Sequence, residues 1–419
     1  MEENSIYRIF LKYKKIPYKD VIIHIIIKFY RKSKNERSTD MKFIHLSDLH
    51  IGKKVNGFSM LDEQKYILKQ ILDYIPEIKP DGVLIAGDVF DTGIASVDAI
   101  RLFERFLVSL SEIHIPVFVI SGNHDSADRL SYGSQFMSES GIYITKSLSG
   151  DISQITLSDE YGEVNIYLLP FIRPADVKNI YETEFNNYTE AAKYVIDRMN
   201  VDTTKRNVLV AHQYVTGALP SESETSVSVG GLDNIEKDVF DVFDYTALGH
   251  IHRPQNIGTQ SVRYCGTPLK YSLSEIGTQK SLTVVELKEK GTLNIDTIPL
   301  KPKNDMRQIK GKYIDLVTRE NYENTAVNDY IYAVLTDEND IPDALSKLRT
   351  IYPNIMSISY ERSNKFIDKI SNTAQKAESR TPLEFFDELF TTQNGEPLTD
   401  DDRKYLGDLI SGIWEEEEQ

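Results

Sequence analysis

Five histidines of this chain stand in short motifs that also carry carboxylate or amide side chains. Ser47-Asp48-Leu49-His50 comes first, and Gly87-Asp88-Val89-Phe90-Asp91, Gly122-Asn123-His124-Asp125, Ala211-His212-Gln213 and Gly249-His250-Ile251-His252 follow in order. Carboxylate, imidazole and amide oxygen form a mixed donor set. Such a set suits a first-row divalent ion such as manganese or iron better than calcium, which prefers oxygen alone. Asp48/His50 and His250/His252 are two residues apart, and on a strand that spacing points both side chains to one side. Singly the motifs say little: an Asp-x-His pair is commonplace, Gly-Asn-His reads as a turn, and His212 alone reads as a core histidine. The ordered series carries the weight. His24, His45 and His114 lie outside it.

Elements must bring these motifs together, and each motif follows an apolar run. The runs at 82–86 (GVLIA), 116–120 (PVFVI), 207–210 (NVLV) and 245–248 (YTAL) predict strands. Loops at the strand ends of an α/β sheet converge on a crevice, where ligands sit. Leu61, Ile67, Leu68, Ile71, Leu72 and Ile75 recur at helical spacing, with Pro80-Asp81-Gly82 as the stop. Val97, Ile100, Phe103, Phe106, Leu107 and Leu110 mark a second helix, and both stripes read as core faces. Strands alternating with helices give an α/β layered fold.

The register changes near Leu300-Lys301-Pro302. A smaller α/β unit is expected over 302–361, with strands at 313–317 (YIDLV), 330–335 (YIYAVL) and 356–360 (MSISY) and a helix at 343–351. Residues 362–380 are polar and read as a linker. Two helices are expected in 381–419, opened by Thr381-Pro382-Leu383-Glu384 and Thr399-Asp400-Asp401-Asp402, each with a hydroxyl three residues before an acid. Leu383, Phe386, Leu389 and Phe390 line one, and Tyr405, Leu409, Ile410, Ile413 and Trp414 the other. Too short to stand alone, both helices need something to pack on.

Composition sets outer bounds. The chain has 419 residues, enough for two or three domains, with 40% hydrophobic and 27% charged residues. A single cysteine, Cys265, excludes an internal disulfide and suits a reducing cytoplasm. The net charge of −16 argues against wrapping nucleic acid by charge alone, although bound cations reset the field at a metal site. Residues 1–40 differ from the rest, with ten Lys/Arg against five Asp/Glu. Their apolar stretch, 21–30 (VIIHIIIKFY), is too short to span a bilayer, so no membrane association is expected. Met41 opens directly onto a strand pattern, and 1–40 reads as a dispensable extension, non-native or disordered.

The order D-x-H, G-D, G-N-H-D, H, G-H-x-H resembles the calcineurin-like metallophosphoesterases. The longer stretches 122–130 (GNHDSADRL), 226–231 (SVSVGG) and 262–275 (VRYCGTPLKYSLSE) resemble the SbcD family of nuclease subunits within them. The likeness is strong over 41 to about 300 and looser beyond. It implies an α/β fold of two sheets in a sandwich flanked by helices over 41–301. A small capping domain that contacts DNA and a C-terminal helical segment would follow. It implies two divalent metal ions, with Mn2+ expected. One would be held by Asp48, His50, Asp88 and His252, and the other by Asp88, Asn123, His212 and His250. A bridging carboxylate such as Asp88 relieves the repulsion between two dications about 3.5–4 Å apart. His124 would touch the scissile phosphate instead of a metal. Asp91 stands where some relatives carry histidine, so its role stays open.

The resemblance further implies a cytoplasmic, bacterial nuclease that cuts duplex ends, hairpins and single strands in DNA repair, replication and recombination. Its ATPase partner would be SbcC, held by the terminal helices. The nuclease subunit would be a homodimer within a heterotetramer, paired through helices near 61–76 and 96–112. A two-metal phosphatase or phosphodiesterase acting on a small-molecule or protein phosphoester is the alternative; chains of that kind lack the 302–361 domain and the terminal helices. A non-enzymatic scaffold would have lost ligands that are all present here.

Overall fold

A computed structural model of the protein describes residues 40–150, 152–221, 224, 234–361, 383, 386–387, 390–391 and 398–417. Strand β1 (Met41–Leu46) leads through a hairpin of β2 (Lys54–Val55) and β3 (Phe58–Ser59) into helix α1 (Leu61–Ile78). β4 (Gly82–Ala86), α2 (Val97–Glu112), β5 (Val117–Ile120) and β6 (Ile142–Ile144) follow. Next come β7 (Ser153–Asp159), β8 (Gly162–Leu168), α3 (Pro174–Tyr181), α4 (Tyr188–Arg198), β9 (Arg206–His212), β10 (Tyr245–Gly249), β11 (Gln255–Ile257) and β12 (Thr259–Tyr264). β13 (Ser281–Leu287) and β14 (Leu293–Pro299) then return to the first sheet.

Two six-stranded sheets result, ordered β14-β13-β1-β4-β5-β6 and β11-β12-β10-β9-β8-β7. β1, β4, β5 and β6 run parallel, as do β8, β9, β10 and β12, and the outer pairings are antiparallel. Alternate residues of each central strand meet in the space between the sheets: Phe43, Leu84, Ala86, Phe118 and Ile120 from one, Val164, Ile166, Val208, Val210 and Ala247 from the other. Each large apolar side chain buried there contributes about 1.5–3 kcal/mol relative to exposure. The second sheet's outer face buries Leu209, Ala211 and Leu248 against Ala192, Val195 and Ile196 of α4. Strands covered on both faces read as unbroken apolar runs, hence GVLIA with every residue buried. This is the sandwich that the family resemblance implies.

Both predicted helices form, with one correction. In α1, Ile67, Leu68, Ile71 and Ile75 are buried. In α2, capped by the Ser96 hydroxyl on the Ala99 N–H, the buried set is Phe103, Phe106, Leu107 and Leu110. Val97 and Ile100 are 60% and 50% exposed, so they belong to the surface and not to the core face.

The first compact unit ends at Met306 and the second begins at Arg307. Residues just past β14 stay with the first unit, since the Lys303 and Asn304 amides donate to Glu63 Oε2. In the second unit, β15 (Met306–Gly311), β16 (Tyr330–Leu335) and β17 (Ile355–Tyr360) form a three-stranded sheet, with β16 and β17 parallel. The stretch YIDLV, read above as a strand, is instead helix α5 (Tyr313–Val317). Its apolar residues Tyr313, Leu316 and Val317 have helical spacing, and that spacing presses them on the core of Ile331, Ala333, Leu348 and Ile355. The third strand is MRQIKG, whose alternation is too weak to stand out. Helix α6 (Ala344–Arg349) lies in the expected place. At the C-terminus α7 (Asp400–Glu417) forms with its capping box realised: Thr399 Oγ1 accepts from Asp402 N–H, and Asp402 accepts from Thr399 N–H. The linker at 362–380 and the Thr381 capping box lie outside the described residues. No described helix is long and apolar enough to cross a membrane.

Candidate metal centre

The motifs meet where the parallel strands end. Asp48 and His50 follow β1, Asp88 follows β4, and Asn123 and His124 follow β5. From the facing sheet, His212 closes β9, and His250 and His252 follow β10. The two-apart pairs do not lie on strands, so strand alternation does not aim them as the spacing suggested. The backbone is left-handed at Asp48 (φ 51°), His50 (φ 43°), Asp88 (φ 47°) and His250 (φ 102°). Such conformations at non-glycine residues cost on the order of 1–3 kcal/mol each and persist only when their surroundings enforce them. Here a backbone ladder does so: Asp48, His50 and Ile51 amides donate to the carbonyls of Gly87, Asp88 and Val89 at 3.0, 2.9 and 2.9 Å. Two glycines permit the close approach. A Cβ at Gly122 would stand 2.1 Å from Asp88 Oδ1, and one at Gly249 only 1.8 Å from the Ala86 carbonyl oxygen.

The side chains form one cluster. Nε2 of His50 and Nε2 of His252 are 3.1 Å apart, and Asp88 Oδ2 is 3.7 Å from His50 Nε2 and 3.4 Å from His212 Nε2. Asn123 Oδ1 lies 3.0 Å from His212 Nε2 and 2.9 Å from His250 Nδ1. Asp48 accepts from the His250 amide and from the Ser47 hydroxyl. Asp48, His50 and His252 have donor atoms within 4.8 Å of one another, as do Asp48, Asp88 and His212. All of the expected residues are thus brought together. His124 differs: it alone of the five histidines is exposed, its Nδ1 facing the Asp91 carbonyl at 3.0 Å. Its main-chain N–H donates to Asp88 Oδ1.

The donor chemistry fits a cation. His212 Nδ1 meets the Ala86 carbonyl at 2.8 Å, which places a proton on Nδ1 and turns Nε2 toward the Asp88 and Asn123 oxygens. His50 Nδ1 lies 3.5 Å from Asp91 Oδ1, and His252 Nδ1 lies 3.5 Å from Glu224 Oε1 and 3.8 Å from Glu275 Oε1. Carboxylates beside both Nδ1 atoms favour the proton there, so two Nε2 lone pairs confront each other. Acceptor facing acceptor is repulsive unless positive charge lies between, and a metal–imidazole–carboxylate arrangement has this form.

Ionisation follows the same balance. Burial alone would raise the Asp88 carboxyl, but His212, helped by His50 and His124, holds it well below the carboxylate range. Burial works to lower His212, yet the Asp88 carboxylate carries it up to about 9. Burial, reinforced by the His212 charge, lowers His250 to about 3. Burial pushes Asp125 up to about 6 with help from Asp88, against N–H groups donated by Gly122, Phe90 and Val89. At Asp91 burial is overcome by His50 and Lys53, which take it down to about 2.

Sequence reasoning missed the supports behind these side chains. Glu275 is buried in contact with Lys280, whose Nζ also donates to the His252 carbonyl (2.9 Å) and Thr267 Oγ1 (2.6 Å). Glu224 accepts from the His252 amide. Gln64 Nε2 donates to the His50 carbonyl, and the Tyr271 hydroxyl to that of Leu49. Tyr271 and Glu275 stood inside the stretch VRYCGTPLKYSLSE, without a role; nothing in the spacing of Gln64 or Glu224 signals one. The stretch 226–231 lies outside the described residues.

Residues 41–254 match the family described as calcineurin-like phosphoesterase, and 302–394 match the one described as type 5 capsule protein repressor C-terminal domain. A curated relative, the SbcD subunit of the nuclease SbcCD from Staphylococcus epidermidis, is 33% identical over 378 residues, spanning 88% of this chain and 99% of its own length. Among solved structures, a dimetal phosphatase from Danio rerio is 11% identical with a TM-score of 0.39, covering 61% of this chain and 95% of that one. The calcineurin-like phosphoesterase YfkN from Bacillus subtilis is 16% identical with a TM-score of 0.34, covering 62% and 90%.

Proposed function

Because the chain belongs to the calcineurin-like phosphoesterases and, within them, to the SbcD nuclease family, we propose the following account of its reaction. The protein is a metal-dependent phosphodiester hydrolase, the nuclease subunit of a complex with SbcC that acts on DNA. It cuts duplex ends as an exonuclease and single strands and hairpins as an endonuclease, with manganese as the working ion. The supporting observation is the cluster itself: carboxylate, imidazole and amide donors from five strand ends of two sheets, buried and turned toward one another.

Asp48, His50, Asp88 and His252 would hold one ion, and Asp88, Asn123, His212 and His250 the other. Bound there, such a pair lowers the pKa of a water and neutralises charge on the phosphate. The chain's own contribution is placement. Asp88 is fixed by the His124 amide, and His212 by the Ala86 carbonyl. His124, exposed and not turned into the buried donors, would meet the substrate and protonate the departing oxygen.

Exposed Val97, Ile100 and Val108 on α2 give that helix an apolar outer side, which supports pairing of two copies there. Exposed Tyr405 and Leu409 on α7 support docking of the terminal segment on SbcC. Incubating the protein with Mn2+, labelled hairpin DNA and p-nitrophenyl phosphate tests the reading. DNA cleavage well above monoester turnover is expected, lost in Asp88→Asn; preferential monoester hydrolysis would overturn it.

A further inference from the structure

Asp91 is a motif carboxylate that the ligand assignment leaves without a role, yet it is a hub. Its Oδ1 lies 2.7 Å from Lys53 Nζ and 3.5 Å from His50 Nδ1, while its backbone carbonyl meets His124 Nδ1 at 3.0 Å. We propose that Asp91 is a positioning residue: its carboxylate fixes His50, its carbonyl fixes His124, and Lys53 clamps the carboxylate. The inference rests on the reading of His50 as a metal ligand.

Three observations carry it. First, residue 91 is itself held. Its amide donates to the Ile51 carbonyl at 3.3 Å, beside the bridge that pairs Ile51 with Phe90. The loop after β4 is therefore tied to the loop that carries His50. Second, Lys53 is constrained too. Its ammonium stands 5.6 Å from the centroid of the Tyr271 ring, and the Tyr271 hydroxyl is anchored on the Leu49 carbonyl. Third, the two Nδ1 atoms that face residue 91 belong to the histidines assigned to metal and to phosphate. One loop residue thus sets the direction of both Nε2 atoms.

A competing role is direct ligation, because His50, Asp91 and His124 also place donor atoms within 4.8 Å of one another. Lys53 speaks against it. Its ammonium occupies the same carboxylate oxygen that faces His50, and a dication there would meet a fixed positive charge at close range. The two roles predict opposite effects of removing Lys53. A clamp that is lost weakens metal binding; a repelling charge that is lost strengthens it.

Equilibrium Mn2+ binding, read by the electron paramagnetic resonance of free Mn2+, tests this on the full chain. The variants are Asp91→Ala, Lys53→Met, His50→Ala and the double His50→Ala/Asp91→Ala, each checked for an unchanged thermal transition. Asp91→Ala is expected to weaken binding about 10–100-fold, the range for loss of a carboxylate behind a metal-bound imidazole, with two ions still bound at saturation. Lys53→Met should weaken it too. In the His50→Ala background, Asp91→Ala should add less than about threefold, because coupled residues do not sum. Unchanged affinity in Asp91→Ala, full additivity in the double variant, or tighter binding or a third ion in Lys53→Met would overturn the proposal. Failure of the unaltered protein to bind Mn2+ would instead overturn the site reading, and this inference with it.

Discussion

At Asp88 one carboxylate faces His50, His212 and the His124 amide at once, so it links groups carried by the ends of β1, β5 and β9. Replacing it by alanine should reduce DNA cleavage at least about 10³-fold and release bound metal, since the groups it links act as a unit. His124→Ala should remove cleavage while leaving Mn2+ content near that of the unaltered protein. Metal analysis beside activity distinguishes the two, and an active Asp88→Ala protein would refute the assignment. A different histidine contributes to the acid sensitivity of the fold. His45 is buried on β1 with Nδ1 2.8 Å from the Tyr245 hydroxyl. Burial, with the Arg263 charge nearby, lowers it from 6.5 to about 3. Its folded pKa lies below its unfolded one, so on acidification the unfolded chain takes the proton first. Stability is therefore lost as pH falls from 6.5 toward 3, by at most about 1.4 kcal/mol per pH unit for one proton. Thermal melts from pH 7 to pH 5 should fall more steeply for the unaltered chain than for His45→Gln; equal slopes would show that other groups dominate.

Elements matter here chiefly by where they end. Parallel neighbours β1, β4 and β5 place their loops on one edge, and β9 and β10 do the same from the opposing sheet. In α2 one face packs on the core while Val97 and Ile100 stay exposed, on the side where the proposed pairing of two copies would form. Helix α7 is a comparable case. Its capping box is formed, Leu398 just before it is buried, and Arg403 pairs with Asp387 at 2.7 Å, while Tyr405 and Leu409 stay 69% and 48% exposed. Truncation after residue 375 should abolish SbcC capture and leave Mn2+-dependent cleavage of short single strands largely intact. Full-affinity capture by the truncated protein would show that the partner binds elsewhere.

On the scale of the whole molecule, catalysis and DNA grip are expected to be separable. The first unit holds every residue of the metal cluster, and the second has its own core around Ile331, Ala333, Leu348 and Ile355. Residues 303 and 304 are bonded to Glu63 of α1, so an excision that spares the first unit should start at 307. Removing 307–361 should weaken duplex binding by a larger factor than turnover of bis(p-nitrophenyl) phosphate. Equal losses in gel-shift and turnover assays would mean that the excision disturbs the first unit instead.

The sequence alone determined the donor types, their order, the strands that precede them and the buried stripe of α1. All are local matters: residue chemistry and hydrophobic period act within a few positions, and GVLIA or Ile67-Leu68-Ile71-Ile75 read the same in isolation as in the fold. Tertiary structure decided the rest. His50 faces His252 across 202 residues, and the Glu275–Lys280 pair behind His252 has no pattern to betray it, because a buried ion pair is defined by its surroundings and not by its spacing. The left-handed turns at Asp48, His50 and Asp88 depend on a ladder between two loops, and that at His250 on the hydrogen bond from its amide to the Asp48 carboxylate. YIDLV, rich in residues that favour strands, became a helix because its packing partners lay at helical spacing, and packing outweighs intrinsic preference.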